Sequence, residues 1–499
     1  MTRTVLLSAV FVVGLVVQGA ARDLPLHEAV KTGDLSAVRG LVEDGVDVNT
    51  VSVDGSTALH WAAHHNRVEI TSVLLVAGAN VDAVNRYGVN PLALASLNGS
   101  VPMLSRLLEA GADVNSANPE GETPLMTAAR TGSRQALEVL LRHGADVDAV
   151  EQWRGQTALM WAVAQNQLEA VHTLLAAGAD PNLRSNGGFT PLLFAAREGH
   201  LEVIGPLVRA GADVDDLLAK EVQGKTYNIG GGVGMSALVL SVYNAHYDVA
   251  KELLDLGANP DASENGWSAL HQVVWTRRPN LGRNPPFPVP HGDLDAFDLV
   301  RALAEAGANL DIRQTKEPRD GNRNVLNRIG STPFLQAAKV ADAEMMQLLA
   351  DLGADPMVTT EEGCTPLMAA AGVGIWKIGE NPGTNDEALA AVKLAWELGN
   401  DVNAVDVNGD SALHGAIHRG AGSIVQFLAE NGANIDALNE KGWSAFSIAE
   451  GVFYPNTFNR HPELVTLLTE LGADPSAGTR RQEDLSPEER LVLAQEQEQ

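Results

Sequence analysis

Residues 121–149 read GETPLMTAARTGSRQALEVLLRHGADVDA and hold the start of one helix and the end of a second. Thr123 and Pro124 are a typical helix start, because a threonine hydroxyl accepts hydrogen bonds from first-turn amides and proline fits the first helical position. Gly144 follows the apolar residues around Leu140, and glycine readily adopts the left-handed conformation that closes a helix. These residues therefore predict two short helices joined by a turn.

The same unit recurs along the chain. A glycine followed by Ala, Val or Asn and then by Asp or Asn stands at Gly45, Gly78, Gly111, Gly144, Gly178, Gly211, Gly257, Gly307, Gly353, Gly399, Gly432 and Gly472. The spacing is 33 or 34 residues up to Gly211, and then 46, 50, 46, 46, 33 and 40. A second signature keeps step with the glycines, as in GSTALH at 55–60, GFTPLL at 188–193 and GDSALH at 409–414. A period of this kind predicts a repeat architecture, here of twelve units.

Each part of the unit has a physical role. Alanine pairs such as Ala128-Ala129 let a second helix approach closely, and leucine pairs such as Leu140-Leu141 fill the space between units. The Asp and Asn residues after each glycine favour turns and predict a short hairpin-like connection, or finger, to the next unit. The residues predicted to cap the first helix of a unit are Thr57, Thr123, Thr157, Thr190, Thr332 and Thr365.

On these residues the chain resembles the ankyrin-repeat family, over about residues 24–475. The resemblance implies an all-α solenoid of about 12 helix-turn-helix units with hairpin-like fingers, spanning 22–475 with an N-terminal cap at 22–54. It implies a polar tail or cap helix at 476–499. The concave face of such proteins usually binds other proteins, which implies a non-enzymatic scaffold. In the family the fourth residue of the helix opening is often a histidine that hydrogen-bonds the cap and nearby backbone, which implies structural roles for His27, His60, His271 and His414.

The first residues have the pattern of a secretory signal peptide. Arg3 precedes an apolar run from Val5 to Val17, and Gly19 and Ala21 supply the small residues of a cleavage site. The run is shorter than the roughly 20 residues that a membrane-spanning helix needs. We therefore expect residues 1–21 to be removed and the protein to be exported, to the periplasm or the outside of a bacterial cell. The alternative is a frayed N-terminus of a cytosolic protein.

The composition limits the partners. The chain has 499 residues, and 63 Asp plus Glu against 35 Lys plus Arg give a net charge of −28. Because nucleic-acid affinity comes mainly from Lys and Arg that neutralise phosphates, nucleic acid is not an expected partner, and a protein partner is expected to be basic or neutral. The single cysteine, Cys364, excludes an internal disulfide and any multi-cysteine metal site. We expect it to be a partly buried small residue, with cross-linking of two chains as the alternative.

The sequence offers little else for chemistry. Residues 219–226, AKEVQGKT, satisfy a relaxed phosphate-loop pattern, but the glycine run at 230–232 cannot open the helix that such a loop requires. No His spacing resembles a zinc site, and no Gly-x-Ser-x-Gly elbow occurs. We therefore predict no catalytic residue, no cofactor and no metal site.

Four insertions depart from the regular repeat, at about 216–233, 276–293, 312–328 and 373–388. The first and third fall in finger connections, and the other two fall between the two helices of a unit. Insertions collect where binding happens, although loop drift without function is an equal alternative.

The insertions near units eight and nine reverse the sign of the charge, since residues 276–330 hold nine basic and seven acidic residues. We hypothesise that they form a cleft that holds an anionic ligand or peptide. The alternative is that the arginines pair with neighbouring carboxylates and pin the loops. The residues of the proposed cleft are Trp267, Trp275, Arg277, Arg278, Arg283, Arg313, Lys316, Arg319, Arg323 and Arg328.

Two further tryptophans, Trp153 and Trp443, fall near predicted finger tips, where a partner could contact them. Two functional classes follow from the sequence. The first is a scaffold that binds a protein on its fingers and inner helices, and the second is a receptor for a small anion or peptide in the insertion-built cleft.

Overall fold

In the computed structural model, the residues described are 25–218, 233–279, 288–290, 292–317, 326–375, 383–453, 458–478, 480, 484, 485 and 490. The predicted signal peptide, the phosphate-loop-like segment at 219–226 and most of the C-terminal tail lie outside them. The described residues form two compact units, one ending at Trp153 and one starting at Arg154.

The first unit, which we call unit 1, contains four pairs of short antiparallel helices. Within each pair an inner helix follows the threonine-type cap, and an outer helix ends at the recurring glycine. The inner helices are α1 (Pro25–Thr32), α3 (Ala58–His64), α5 (Pro91–Asn98) and α7 (Pro124–Thr131). The outer helices are α2 (Leu35–Glu43), α4 (Val68–Val76), α6 (Val101–Glu109) and α8 (Arg134–Arg142). Inner helices pack on inner helices and outer on outer, so that each pair buries its apolar face against the next.

The second unit, unit 2, contains eight pairs built in the same way. Its inner helices are α9 (Ala158–Ala164), α11 (Pro191–Glu198), α13 (Ala237–Tyr243), α15 (Ala269–Arg277), α17 (Pro333–Lys339), α19 (Pro366–Ala371), α21 (Ala412–Arg419) and α23 (Ala445–Glu450). Its outer helices are α10 (Leu168–Ala176), α12 (Leu201–Arg209), α14 (Tyr247–Asp255), α16 (Ala296–Glu305), α18 (Ala343–Leu352), α20 (Asn385–Glu397), α22 (Gly422–Glu430) and α24 (Pro462–Glu470). A two-residue antiparallel pair, β1 (Val452–Phe453) and β2 (Phe458–Asn459), joins the last two helices.

The twelve pairs confirm the predicted all-α repeat fold. The predicted caps are also present, since five threonine hydroxyls accept a hydrogen bond from the amide three residues on, at 3.2–3.4 Å. The sixth, Thr57, contacts His60 Nδ1 through its hydroxyl at 2.8 Å.

The recurring glycine closes every outer helix in the left-handed region, as predicted. Its φ lies between 77° and 104° at all twelve positions from Gly45 to Gly472. An added Cβ would meet nothing within 4 Å at any of them, so glycine is required there by the backbone conformation and not by crowding.

A ladder of Asx side chains links successive fingers. This role goes beyond the turn formation that the sequence predicts for these residues. In unit 1 the Oδ1 atoms of Asn49, Asp82 and Asn115 each accept a hydrogen bond from the backbone amide at the start of the next finger, at 2.7, 3.0 and 2.8 Å. The same contact recurs in unit 2, where Asn182 Oδ1 accepts from the amide of Asp213 at 3.1 Å. The Asx four residues after the glycine therefore joins neighbouring repeats, whereas Met357 and Ser476 occupy that position after Gly353 and Gly472.

The insertions interrupt the repeat pattern only in the connections between helices. The described ends of the 216–233 insertion meet in a bridge between Leu217 and Ser236, ahead of α13. The 276–293 insertion separates α15 from α16, and the 373–388 insertion separates α19 from α20. In the part of the chain that the structure describes, no helix has the length and apolar character needed to cross a membrane.

Candidate functional site

The four histidines of the helix openings occupy structural positions. His60 Nδ1 accepts a hydrogen bond from the amide of its cap, Thr57, at 3.1 Å, and its Nε2 faces the carbonyl oxygen of Val89 in the next repeat at 3.0 Å. His271 and His414 repeat this arrangement with Ser268 and Ser411. His27 contacts the Ser56 carbonyl oxygen at 3.2 Å.

Burial keeps these rings neutral. It lowers the pKa of His271 to about 4, and it also lowers the pKa of His60 and His414. A neutral ring with its proton on Nε2 donates to the carbonyl of the following repeat, and its Nδ1 accepts from the cap. Each histidine therefore joins two repeats, which is a structural role.

The fingers of unit 1 display large apolar side chains to solvent. Val53, Tyr87 and Trp153 lie in three different fingers and are 78%, 58% and 72% exposed. The finger backbones are held by short-range contacts, since Asn85 Oδ1 accepts from the Tyr87 amide at 3.0 Å and Glu151 Oε2 accepts from the Trp153 amide at 2.6 Å. These side chains are thus presented on an ordered backbone.

Trp443 is not a finger-tip residue, and the prediction that a partner could contact it is wrong for this structure. It is 1% exposed. Its amide donates to Asn439 Oδ1 at 3.1 Å, and its carbonyl oxygen accepts from the amide of Asn439 and faces His414 Nε2. Because these contacts close the finger at its base, the tip consists of residues 440–442 and the indole packs inside. Trp267 occupies the same place before a helix cap and is also buried.

Two arginines of the proposed cleft pair with carboxylates of the chain. Arg277 Nε donates to Asp342 Oδ2 at 2.7 Å, and its Nη2 donates to Glu344 at 2.8 Å. Arg278 approaches Asp342 at 3.5 Å and Glu387 at 3.0 Å. Asp342 is fully buried, and its Oδ1 also caps α18 by accepting from the Met345 amide at 3.2 Å.

A third arginine is paired within its own finger. Arg328 Nε and Nη2 donate to Glu317 Oε2 at 3.0 and 2.9 Å, and its backbone amide donates to Glu317 Oε1. Lys316 Nζ donates to the Glu264 carbonyl oxygen at 2.7 Å, and Arg313 is exposed. Arg283, Arg319 and Arg323 lie outside the described residues. The contacts of Arg277, Arg278 and Arg328 are those of the pinning alternative, because their charges are matched inside the chain.

Trp267 and Trp275 lie together at a small cavity of unit 2 beside three glutamines and Arg328. Trp275 is partly exposed, and its ring meets that of Tyr243 edge-on at 6.4 Å. The sequence pointed to the two tryptophans but not to the glutamines, which carry no pattern of their own.

The other candidates for chemistry stay structural. Among the described residues, no group of His, Cys, Asp and Glu could hold a metal ion. Cys364 is buried, and burial raises the pKa of its thiol far above the usual range, so that it stays protonated.

Comparison with protein families finds repeats along the chain. The family described as "Ankyrin repeats (3 copies)" matches residues 26–118, 116–185 and 384–479, which make up half of the chain. The family described as "Ankyrin repeat" matches residues 187–217 and 233–265.

Two similar curated proteins are from mammals. "Ankyrin repeat and SOCS box protein 16" of Homo sapiens is 34% identical over 222 residues, which are 44% of this chain and 43% of that protein. "Osteoclast-stimulating factor 1" of Rattus norvegicus is 46% identical over 57 residues, 11% of this chain and 27% of that protein. The chain thus spans less than half of the length of either relative.

Two solved structures are also similar. The ankyrin repeat domain of Bcl-3 is 34% identical with a TM-score of 0.37, covering 39% of this chain and 90% of that one. The human ASB11 ankyrin repeat domain is 31% identical with a TM-score of 0.40, covering 47% of this chain and 99% of that one.

Proposed function

Because the chain belongs to the ankyrin repeat family, we propose that it is a non-enzymatic scaffold that binds a protein partner through its fingers and inner helices. Ankyrin repeats generally mediate protein–protein interaction, and the finer assignment rests on this chain's own side chains. The observation that supports it is the row of exposed apolar residues Val53, Tyr87 and Trp153 on the fingers of unit 1. Exposed aromatic side chains on an ordered backbone are typical anchors of interfaces.

The charge of the chain suggests the kind of partner. With a net charge of −28, the protein attracts basic surfaces over long distances and repels acidic ones. The partner is therefore a protein with a basic or neutral surface and an apolar patch that accepts Tyr87 and Trp153. Arg277, Arg278 and Arg328 already pair with carboxylates, which argues against the binding of a small anion by these three arginines.

The test is affinity capture with matched variants. The immobilised full chain is expected to retain a protein from the cell envelope of its own host, and Tyr87→Ala with Trp153→Ala is expected to weaken binding of that purified protein at least ten-fold. The control is Val76→Ala, which shortens an even more exposed apolar side chain at the end of the outer helix α4. Wild-type binding by the double variant, or an equal loss of binding in the control, would contradict the proposal that the partner binds the fingers.

We also propose that the protein is exported by a bacterial cell, to the periplasm or beyond. The support is the three-part pattern of residues 1–21, which lie outside the described structure. The expected result is a protein in the envelope or medium fraction whose mass corresponds to a chain that starts at Arg22. A cytosolic chain that retains residues 1–21 would contradict the proposal.

A further inference from the structure

The outer helices of unit 2 carry an open groove of about 650 Å³. The groove follows α18, which packs between α16 and α20. Five of its eight lining residues lie on α18 between Ala343 and Asp351, and they share one face of that helix because they recur at intervals of three or four residues. This face extends over about 12 Å of helix axis, or about two turns. The groove therefore has the direction and width of a site for an elongated partner segment.

Apolar side chains line the groove on all three helices. Phe297 of α16, Leu348 of α18 and Leu394 of α20 are each partly exposed there. The Arg277 guanidinium lies 4.1 Å from the centroid of the Phe297 ring and donates to Glu344 at 2.8 Å. The side of the groove on α16 is thus held by an arginine that also joins two repeats. An apolar surface shared by packed helices can accept the apolar face of a further helix.

The groove is also acidic. Helices α16, α18 and α20 together have seven acidic and two basic residues, a net charge of −5. The acidic residues are Asp298, Glu305, Glu344, Asp351, Asp386, Glu387 and Glu397, and the basic ones are Arg301 and Lys393. Within the groove Arg301 is matched by Asp298 at 3.3 Å. Asp351 accepts from the neutral Gln347 Nε2 at 2.7 Å and has no ion pair within the part of the chain described. A cationic occupant therefore gains an unmatched carboxylate.

The charge and the secondary structure separate the possible occupants. A second copy of the chain would bring a net charge of −28 and the same acidic helices to the groove, and an anionic membrane surface would also be repelled. An extended strand gains its affinity from main-chain hydrogen bonds at a sheet edge, which α16, α18 and α20 do not offer. A helix with an apolar stripe and basic edges needs side-chain contacts alone, and the groove provides both kinds.

We propose that the groove along α18 binds an amphipathic α-helix of a partner protein. The apolar face of that helix packs on Phe297, Leu348 and Leu394, and its Lys or Arg side chains lie beside Asp351. This surface belongs to the outer helices of unit 2 and not to the fingers of unit 1, so the inference goes beyond the proposed function and does not depend on it. A chain with both surfaces can hold two different proteins.

The first test uses the peptide LKKLLKLLKKLLKL as the probe and the full chain as the receptor. As a helix the peptide is about 21 Å long, with its leucines on one face and its lysines on the other. It is expected to bind one site per chain and to gain helicity on binding, which isothermal titration and circular dichroism measure. The peptide LKLKLKLLKLKLKL, of the same composition and without a helical apolar face, is expected to bind at least ten-fold more weakly.

The second test places the peptide on the groove with matched variants. Asp351→Lys is expected to weaken binding at least ten-fold and to keep the thermal unfolding midpoint, because Asp351 is exposed. The control is Glu430→Lys on α22, where Glu430 also stands two residues before the recurring glycine and accepts from a glutamine, Gln426, four residues earlier. The control makes the same change in net charge outside the groove, and it should weaken binding less than two-fold because salt screens distant charges.

Several outcomes would overturn the proposal. Wild-type binding in Asp351→Lys, an equal loss in Glu430→Lys, or equal binding of the two peptides would show only unspecific attraction between a basic peptide and an acidic chain. Should Asp351→Lys fail to fold, Gln347→Arg replaces it, since it places a large cation in the groove, and undiminished binding there would have the same meaning. A dimer of the full chain that Gln347→Arg abolishes would make a second copy the occupant.

The finger variant separates this inference from the proposed function. Tyr87→Ala with Trp153→Ala is expected to bind the peptide as the wild type does, because both side chains lie in unit 1. Loss of peptide binding in that double variant would place the peptide on the fingers and overturn the groove proposal. Peptide binding that depends on Asp351, with no protein captured through the fingers, would support the groove and contradict the proposed function instead.

Discussion

Unit 1 and the insertion-bearing repeats of unit 2, from α15 to α20, share the Asx ladder but differ in where their ion pairs lie. In unit 1 the glycines follow one another at 33 residues, and ion pairs such as Lys31 with Glu28 and Arg134 with Glu138 lie within one repeat. In α15–α20, Arg277 and Arg278 reach across to Asp342, Glu344 and Glu387 in the two following repeats.

The difference shows what an insertion requires. Contiguous repeats join through apolar packing and the Asx ladder, which are supplied at every period. Where an insertion lies between the two helices of a repeat, the connecting chain no longer fixes their relative position as a short turn does. The buried Asp342 supplies a further fixed point, because it accepts a hydrogen bond from Arg277 of another repeat, lies 3.5 Å from Arg278 Nε and caps α18 as well.

The largest expected effect is at Asp342. Asp342→Ala should lower the free energy of unfolding of unit 2 by about 3–5 kcal/mol, because it leaves two half-buried guanidinium groups without their shared carboxylate. The matched control is Asp34→Ala, which removes an exposed N-cap from α2 in unit 1 and should cost about 1 kcal/mol. Denaturant unfolding measures both. Equal losses would show that Asp342 acts as a helix cap alone.

The next effect is a loss of stability in acid. The folded chain holds the pKa of His271 at about 4 and that of His418 at about 3, against 6.5 in the unfolded chain. Between these values the unfolded state binds protons that the folded state does not, so the free energy of unfolding falls as the pH falls from 6.5 toward 4. At about 1.4 kcal/mol per pH unit, His271 alone contributes a loss of about 3 kcal/mol.

The measurement compares unfolding at pH 7 and pH 4 in His271→Met, since methionine occupies the equivalent position at Met126 and Met368. The variant should lose about 3 kcal/mol less than the wild type between these pH values. An unaltered pH dependence in His271→Met would place the acid sensitivity elsewhere.

A smaller effect is expected in the Asx ladder of unit 1. Asn115→Ala removes the acceptor of the Asp146 amide and the donor to the Gly144 carbonyl oxygen, and should lower the free energy of unfolding by about 1 kcal/mol. Asn115→Asp keeps the acceptor, as Asp82 does in the preceding finger, and should cost about half as much. Denaturant unfolding of both variants measures the two losses of stability. A larger loss in Asn115→Asp than in Asn115→Ala would show that the ladder hydrogen bond does not stabilise the fingers.

The smallest expected effect on stability is at the finger tips. Trp153→Ala should change the free energy of unfolding by no more than about 0.5 kcal/mol, because the side chain is largely in solvent. Its thermal unfolding midpoint should therefore stay close to that of the wild type. Trp443→Ala should cost about 3 kcal/mol or more, since its indole is buried. A strong destabilisation by Trp153→Ala would mean that the indole supports the fold and is not held out for a partner.

The repeat fold was predictable because its signals are local. Thr123 with Pro124, and Gly144 after the leucines, fix the ends of two helices within one period, and the period repeats these signals. The Asx ladder also left a sequence signal, the Asp or Asn four residues after most of the recurring glycines, but turn propensity explained those residues equally well. Only the distances to the next finger identify their second role.

The candidate site was predictable in part. The tryptophans and arginines of the eighth and ninth repeats stood out by residue type. The carboxylate that accepts from Arg277, however, lies 65 residues away, and no periodicity of the sequence identifies it. Trp153 and Trp443 both lie near fingers in sequence, and a shift of a residue or two along the hairpin separates an exposed tip from a buried base.

The open space around the twelve helix-ending glycines bears on how such repeats diverge. A Cβ added there meets no heavy atom within 4 Å, so the cost of replacing the glycine with alanine is that of the left-handed backbone. Asparagine and aspartate tolerate that conformation best, whereas valine, isoleucine and threonine resist it. Degenerate copies of this repeat should therefore drift at that position from glycine toward asparagine, and searches for remote relatives gain sensitivity by scoring the two residues as equivalents there.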